Sequence, residues 1–346
     1  MVSNNQTSQV GETFRRATCI STGVISLFLA IFTSAGNGFL LYVLYKDPLK
    51  VLRRPVTVFI GALAVVDFLT GAFSDFAFAA HEFDCAMGAN NYPGAIGNFS
   101  GIAYFFTVNS ALLLIAALSV ERLIAVAFPH YYRRNYVTKR KIFIVVAVIY
   151  THSFVFAMLQ LAKIPNQIYH NLDLNIHISF PVVTVSITYG AIYVIFRKRR
   201  LRIDTNKSGE NATQRNASVV VESSDVRRQI RNLKIEQQLV STAFIILLCM
   251  IVALIPYLVF VYVEIECPSC IDTEWFFAGR RLCVPFLFSN SAVNPLIYAH
   301  RLQHYKNSFR AILIDSQSRV ISLTSHTCVK QKSVVPTQSI RETPSP

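Results

Sequence analysis

The sequence predicts an all-α membrane protein, a bundle of seven transmembrane helices completed by a short amphipathic cytoplasmic helix. Three observations predict it. Of the 346 residues, 53% are hydrophobic and only 15% charged, where a soluble domain carries about 25% charge. Seven apolar stretches are each long enough to cross a hydrocarbon core of about 30 Å, which takes about 20 helical residues. The basic residues also fall in alternate loops: of 33 Lys and Arg, only Arg15, Arg16, Lys163, Arg280 and Arg281 lie on the sparse side.

The stretches run Ile20–Leu44, Val56–Ala80, Gly97–Phe128, Ile142–Ala162, Asn166–Phe196, Leu239–Val263 and Phe276–Ala299. Barrel strands would be about 10 residues long and strictly alternating. A helix instead pairs each backbone N–H and C=O within its own segment, as hydrocarbon demands. The basic loops face the cytoplasm, so the N-terminus lies outside and the C-terminus inside a plasma membrane. The formal net charge of +14 is then a topology signal with some attraction to membrane lipid, and no nucleic-acid partner is expected. Residues 1–19 form an extracellular segment. Residues 20–314 form the bundle, including a cytoplasmic loop 197–235 and the amphipathic stretch Leu302–Ile314. Residues 315–346 form a disordered cytoplasmic tail. Asn5, in Asn5-Gln6-Thr7, is a glycan acceptor on the outer side. Acids on that side, among them Asp75, Glu82, Asp173 and Glu264, outnumber the basic residues. They are either ordinary solvated loop residues or a mouth that draws in cationic ligands.

Polar residues inside the stretches are costly and tend to be functional. Asn37 follows Gly36 in the first, and Asp67 sits in the second. Glu121-Arg122-Leu123 closes the third, followed by Pro129 and Tyr132. Pro181 and Tyr189 lie in the fifth, Pro256 in the sixth, and Asn290-Ser291 with Asn294-Pro295-Leu296-Ile297-Tyr298 in the seventh. Asp67 must be partnered, and Asn37, Asn290, Ser291 and Asn294 are available. Pro181 and Pro256 each remove a helix hydrogen bond and supply a kink.

This combination, over residues 20 to about 312, resembles the rhodopsin-like class of G-protein-coupled receptors. The resemblance implies a receptor for an extracellular ligand, coupled to a heterotrimeric G protein, with receptor kinases and arrestin acting on the tail. It implies a bistable network at Asp67. A sodium ion there is the one cofactor to consider, but the third-span Ser that usually supports it is Ala111. It also implies that Glu121 pairs locally with Arg122, that Glu236 latches Arg122 to the sixth helix, and that Tyr189 and Tyr298 swing in around Arg122 on activation. Departures are the Leu at 123, Leu254 where relatives carry Trp, Met250 where they carry Phe, and no fourth-span Trp, the one Trp being Trp275. The disulfide that usually holds the third span to the second outer loop is absent, since the matching position is Gly97. With its short second outer loop and a Cys pair in the third, the chain is similar to the branch containing melanocortin, adenosine and cannabinoid receptors.

Cys267 and Cys270 lie three apart in the third outer loop, where an oxidising compartment favours a disulfide over the alternative of zinc. Cys19, Cys85 and Cys283 can supply one more outer bridge with one thiol left over. The ligand pocket implied by the resemblance is lined by Tyr104, Phe105, Val108, Asp173, His177, Tyr257, Leu258, Val261, Phe286 and Phe288. Tyr104 stands where aminergic receptors carry Asp, and Phe288 where opsins carry Lys. His170, Asp173 and His177 share one helical face; they suit a wet, titratable pocket, and no metal is assigned to them. No Gly-x-Ser-x-Gly or His-Glu-x-x-His motif points to an enzyme. The alternative to a receptor is a seven-span transporter or channel, which would need a charged path across the membrane.

Overall fold

The computed structural model describes residues 2–50, 55–88, 94–134, 136–162, 164–213, 224–303 and 305–314. It leaves the side chains of 2–10, 94–98, 133, 166, 200–213 and 224–236 undescribed. The described residues are nearly all helical, with no strand among them. Seven helices are long and apolar enough to cross a membrane: Gly11–Lys46, Val56–Ala86, Phe99–Ala127, Lys139–Ala162, Gln167–Arg199, Gln237–Glu266 and Glu274–Arg301. Each contains the core of one apolar stretch read from the sequence. The tail 315–346 and the centre of the long cytoplasmic loop, 214–223, lie outside the described residues.

The helices run past the apolar stretches. The first is continuous from Val2 to Lys46, so the outer segment 1–19 extends the first span along one axis. The long loop is likewise narrowed by helices Phe180–Thr213 and Ser224–Glu266. Residues 305–314 turn off the seventh span as a short helix. Its apolar face is buried through Tyr305 and Phe309, with Phe309 stacked on Phe39 at 5.3 Å.

Two spans contain a wide π-helical turn. In the fifth it covers Leu174–Ser179, immediately before Pro181. Proline has no N–H to give the carbonyl four residues earlier and its ring crowds that carbonyl, so the turn before it widens. In the second the π-turn covers Thr70–Asp75. There Gly71 lets the first and second spans touch: a Cβ at this position would lie 2.7 Å from Ser34 Oγ and 2.8 Å from Ser34 N.

The packing is inverted relative to a protein in water. Phe28, Phe143, Phe180 and Ile187 are more than half exposed, while Asn37, Asp67, Asp75, Glu82, Arg122 and Asn294 are buried. Lipid solvates the outer faces, and the polar side chains find partners only inside the bundle. The main core joins Leu40, Leu63, Leu114, Ile246 and Tyr298 from five spans.

The outer end is tied twice. Cys19–Cys85 joins the first and second spans, settling which thiol is left over: Cys283 is free and buried. Cys267–Cys270 closes the third outer loop as expected. Beside the first bridge, Glu82 accepts from Thr22 Oγ1 and from Arg281 Nη1, each at 2.5 Å. This removes Glu82 and Asp75 from the solvent-facing acids: both are fully buried, and Glu82 is paired across three helices. Closing 66 residues of chain, the Cys19–Cys85 bond contributes about 2–4 kcal/mol. We expect Cys19→Ser and Cys85→Ser each to lower the thermal unfolding midpoint, and the double variant to lower it no further. Additive losses would show that the thiols act independently.

Candidate functional site

The outer half holds an aromatic box. Tyr104 packs at 6.0 Å from the Tyr257 ring and 5.8 Å from Phe288, bringing the third, sixth and seventh spans together. Val108 packs against the same cluster, and Leu258 joins it from the sixth span. The Arg280 guanidinium lies 4.8 Å from the Tyr257 ring centroid and pairs with Glu264 at 3.4 Å. Val261 is half-buried one turn above Leu258. Phe105 turns the other way, onto Tyr169 at 5.0 Å and His170 at 6.0 Å. Phe286 is exposed on the lipid side, a correction to its placement among the pocket residues.

Asp173 and His177 are engaged elsewhere. The π-turn re-aims this helix face, so His170 lies tilted beside Phe105 while His177 is fully buried against Phe156 at 4.4 Å. Asp173 Oδ1 accepts from Asn109 Nδ2 at 2.8 Å and lies 3.1 Å from His177 Nδ1. His177 Nε2 lies 3.1 Å from His152 Nε2, so one ring donates and the other accepts. A polar chain Asn109–Asp173–His177–His152 thus links the third, fifth and fourth spans. The sequence reading put Asp173 and His177 in the ligand pocket; the structure spends them on helix contacts. Among the described residues no group of three or more His, Cys, Asp or Glu could hold a metal ion.

At mid-depth, Asp67 Oδ2 accepts from Asn294 Nδ2 at 2.8 Å, with Ser291 also beside the carboxylate. Asn37 Nδ2 donates to the Ser291 and Thr33 carbonyls, each at 3.0 Å. The first, second and seventh spans are therefore joined through residues the sequence had grouped. The side-chain oxygens of Asn37, Asn290 and Asn294 are buried with no hydrogen bond among the described residues, leaving acceptors free for a second arrangement. The residues do not fit a sodium ion. Asn294 turns a donor toward the carboxylate, and Ala111 is packed in the apolar core and offers no oxygen.

At the cytoplasmic end Arg122 is 1% exposed. Glu121 clasps it through Nε at 2.5 Å and Nη2 at 2.6 Å. Tyr132 OH donates to Glu121 Oε1 at 2.7 Å and accepts from Arg122 Nη2 at 3.3 Å. Pro129 opens the short helix Pro129–Arg133 that carries Tyr132 back under the third span. Arg122, Tyr298, Leu239 and Thr242 line one water-sized cavity between the third, sixth and seventh spans. The Tyr298 hydroxyl is buried with no hydrogen bond among the described residues. Tyr189 packs on Phe244 at 5.3 Å, beside Val126 and Val240. The Glu236 side chain lies outside the described residues. Met250 and Leu254, standing where relatives carry aromatics, are buried in apolar clusters. Pro256 and Pro295 lie within their helices.

Sequence reasoning missed Asn109, His152, Arg199 and Arg301. Arg199 Nη2 donates to the Val126 carbonyl at 2.6 Å and Arg301 Nη2 to Ser241 Oγ at 2.6 Å. The two intramembrane residues had a signal, an isolated polar side chain in an apolar stretch. The two arginines were hidden among the many basic residues of the cytoplasmic side.

Residues 36–173 and 163–298 match the family model described as 7 transmembrane receptor (rhodopsin family). Among curated proteins the chain is similar to cannabinoid receptor 1 of Taricha granulosa, at 26% identity over 88% of this chain and 67% of that one. It is similar to cannabinoid receptor 1 of Xenopus laevis at 26% identity, over 82% of this chain and 61% of that one. Both belong to the branch that the outer-loop cysteines suggested. In fold the chain is similar to squid rhodopsin, with a TM-score of 0.68 at 16% identity over 85% of this chain and 80% of that one.

The Asn109–Asp173 contact is testable by a double-variant cycle on thermal unfolding. Asn109→Ala and Asp173→Ala should couple by about 1–2 kcal/mol; a coupling near zero would remove this bond from the bundle's polar scaffold.

Proposed function

The chain belongs to the rhodopsin family of seven-transmembrane receptors, and from that premise we propose that it is a plasma-membrane receptor that turns binding of an extracellular ligand into activation of a heterotrimeric G protein. Its N-terminus lies outside and its C-terminus in the cytoplasm. The observation that carries this reading is the clasped Arg122: a guanidinium removed from solvent at the cytoplasmic end of the bundle, held by Glu121 and Tyr132 and sharing a cavity with Tyr298 and the base of the sixth span.

The chemistry of the clasp makes it a switch. A bidentate Arg–carboxylate pair is strong and geometrically defined, and breaking a buried pair by removing one partner costs about 3–5 kcal/mol. Release must therefore be offset by new partners: Tyr298, whose hydroxyl is uncommitted, Tyr189, and a peptide of the G protein. Pro181 and Pro256 weaken the fifth and sixth helices where their cytoplasmic halves would swing. A ligand drives the change only through preference for the open arrangement. Residues 315–346 serve receptor kinases and arrestin.

The aromatic box selects the ligand. Tyr104, Val108, Tyr257, Leu258 and Phe288 form a packed apolar cluster carrying two phenols, and Arg280 covers Tyr257. We infer an apolar, lipid-like ligand whose polar end meets the phenols, in keeping with relatives named for cannabinoids. Phe105, Asp173 and His177 shape the wall behind the box through the chain to Asn109.

Two measurements test the proposal. In a reporter assay for several G-protein classes, Arg122→Ala should abolish ligand-driven signalling at unchanged surface expression; persistence of the signal would sink the receptor mechanism. Tyr132→Phe removes the hydroxyl's hydrogen bonds to Glu121 and Arg122, a net loss of about 1 kcal/mol, and should raise ligand-independent signalling about fivefold.

A further inference from the structure

On the lipid-facing side, the third, fourth and fifth spans enclose a cavity of about 420 Å³. Its walls are apolar, with Leu113, Ala117 and Ile124 on the third span, Ile149 on the fourth and Phe180 on the fifth. Along the third span the lining extends from Leu113 to Ile124, about 17 Å at 1.5 Å per residue. That is close to half of a hydrocarbon core of about 30 Å, the depth of one leaflet.

The cytoplasmic end of this groove is polar, formed by Glu121, Tyr136 and Lys141. Glu121 is already committed to Arg122 and Tyr132. Lys141 makes no ion pair among the described residues and is exposed, as are Lys139 and Arg140 beside it on the first turn of the fourth span. The groove thus offers an apolar channel one leaflet deep with positive charge at the level of the cytoplasmic headgroups.

We propose that this groove binds one anionic phospholipid of the cytoplasmic leaflet, with an acyl chain along Ala117 and Ile149 and the phosphate-bearing headgroup at Lys141. Length match and charge complementarity select this occupant: the chain buries apolar wall, and headgroup attraction to each basic residue adds to it. The site also touches the switch. Glu121 forms part of the groove wall, so a seated acyl chain excludes water from the Glu121–Arg122 pair and strengthens it. The lipid therefore favours the clasped arrangement, a consequence that rests on the G-protein reading, whereas the binding site does not.

The test is native mass spectrometry of receptor released from nanodiscs of equimolar phosphatidylserine and phosphatidylcholine. Wild type should retain one phospholipid, with phosphatidylserine preferred about fivefold. Lys141→Glu should retain phospholipid without that preference, and Ala117→Trp, which fills the groove, should retain neither. Equal retention by all three proteins, or a serine preference that survives Lys141→Glu, would overturn the site. Retention of a sterol or free fatty acid in place of phospholipid would overturn the occupant. Should Ala117→Trp fail to fold, the exposed Lys141→Glu still decides. Ligand-independent nucleotide exchange should be lower in phosphatidylserine discs than in phosphatidylcholine discs for wild type alone. Retention as expected with no such difference would overturn the link to the switch and leave the site standing.

Discussion

Hydrocarbon solvates neither a backbone amide nor a charge, and this constraint shapes every part of the molecule. It forces the seven spans to be helical, because only a helix pairs its own backbone groups. It also forces Asp67, Glu82 and Arg122 to find partners on neighbouring helices or in the turn beside them. The polar contacts are therefore few, buried and placed at distinct depths. Where a soluble protein could leave a carboxylate to water, this bundle commits Asp67 and Glu82 to neighbouring helices.

Those commitments divide the bundle into levels. At the outer end Thr22, Glu82 and Arg281, with the Cys19–Cys85 bridge, hold the first, second and seventh spans. Below them the aromatic box joins the third, sixth and seventh through the Tyr104, Tyr257 and Phe288 rings. At mid-depth Asn37, Asp67 and Asn294 join the first, second and seventh again. At the inner rim Arg122 is held within its own span and by Tyr132. The third and sixth spans contribute Leu114 and Ile246 to one apolar core.

Much of this was legible along the chain. Asp67, Asn294 and Asn37 could be grouped because an intramembrane acid needs a partner and each lay in an apolar stretch. Arg122 and Glu121 are sequence neighbours, so their pairing is local. The one-face grouping of His170, Asp173 and His177 does not hold because helical periodicity assumes 3.6 residues per turn, and the π-turn Leu174–Ser179 breaks that period. Glu82 was placed with the outer acids because the helix runs on to Ala86, beyond the apolar stretch that marked it, whereas Asp75 lies inside that stretch near its outer end.

The sequence by itself determined the seven spans and the local Glu121–Arg122 pair, since hydropathy and local pairing act over short stretches of chain. Only the tertiary structure decided which thiol Cys19 meets, which acid Arg281 neutralises, that His152 answers His177, and that the third, fourth and fifth spans leave a groove one leaflet deep. Those facts depend on which faces of distant helices are turned toward one another. Helix rotation and depth are set by close packing across the bundle, which no single stretch of sequence encodes.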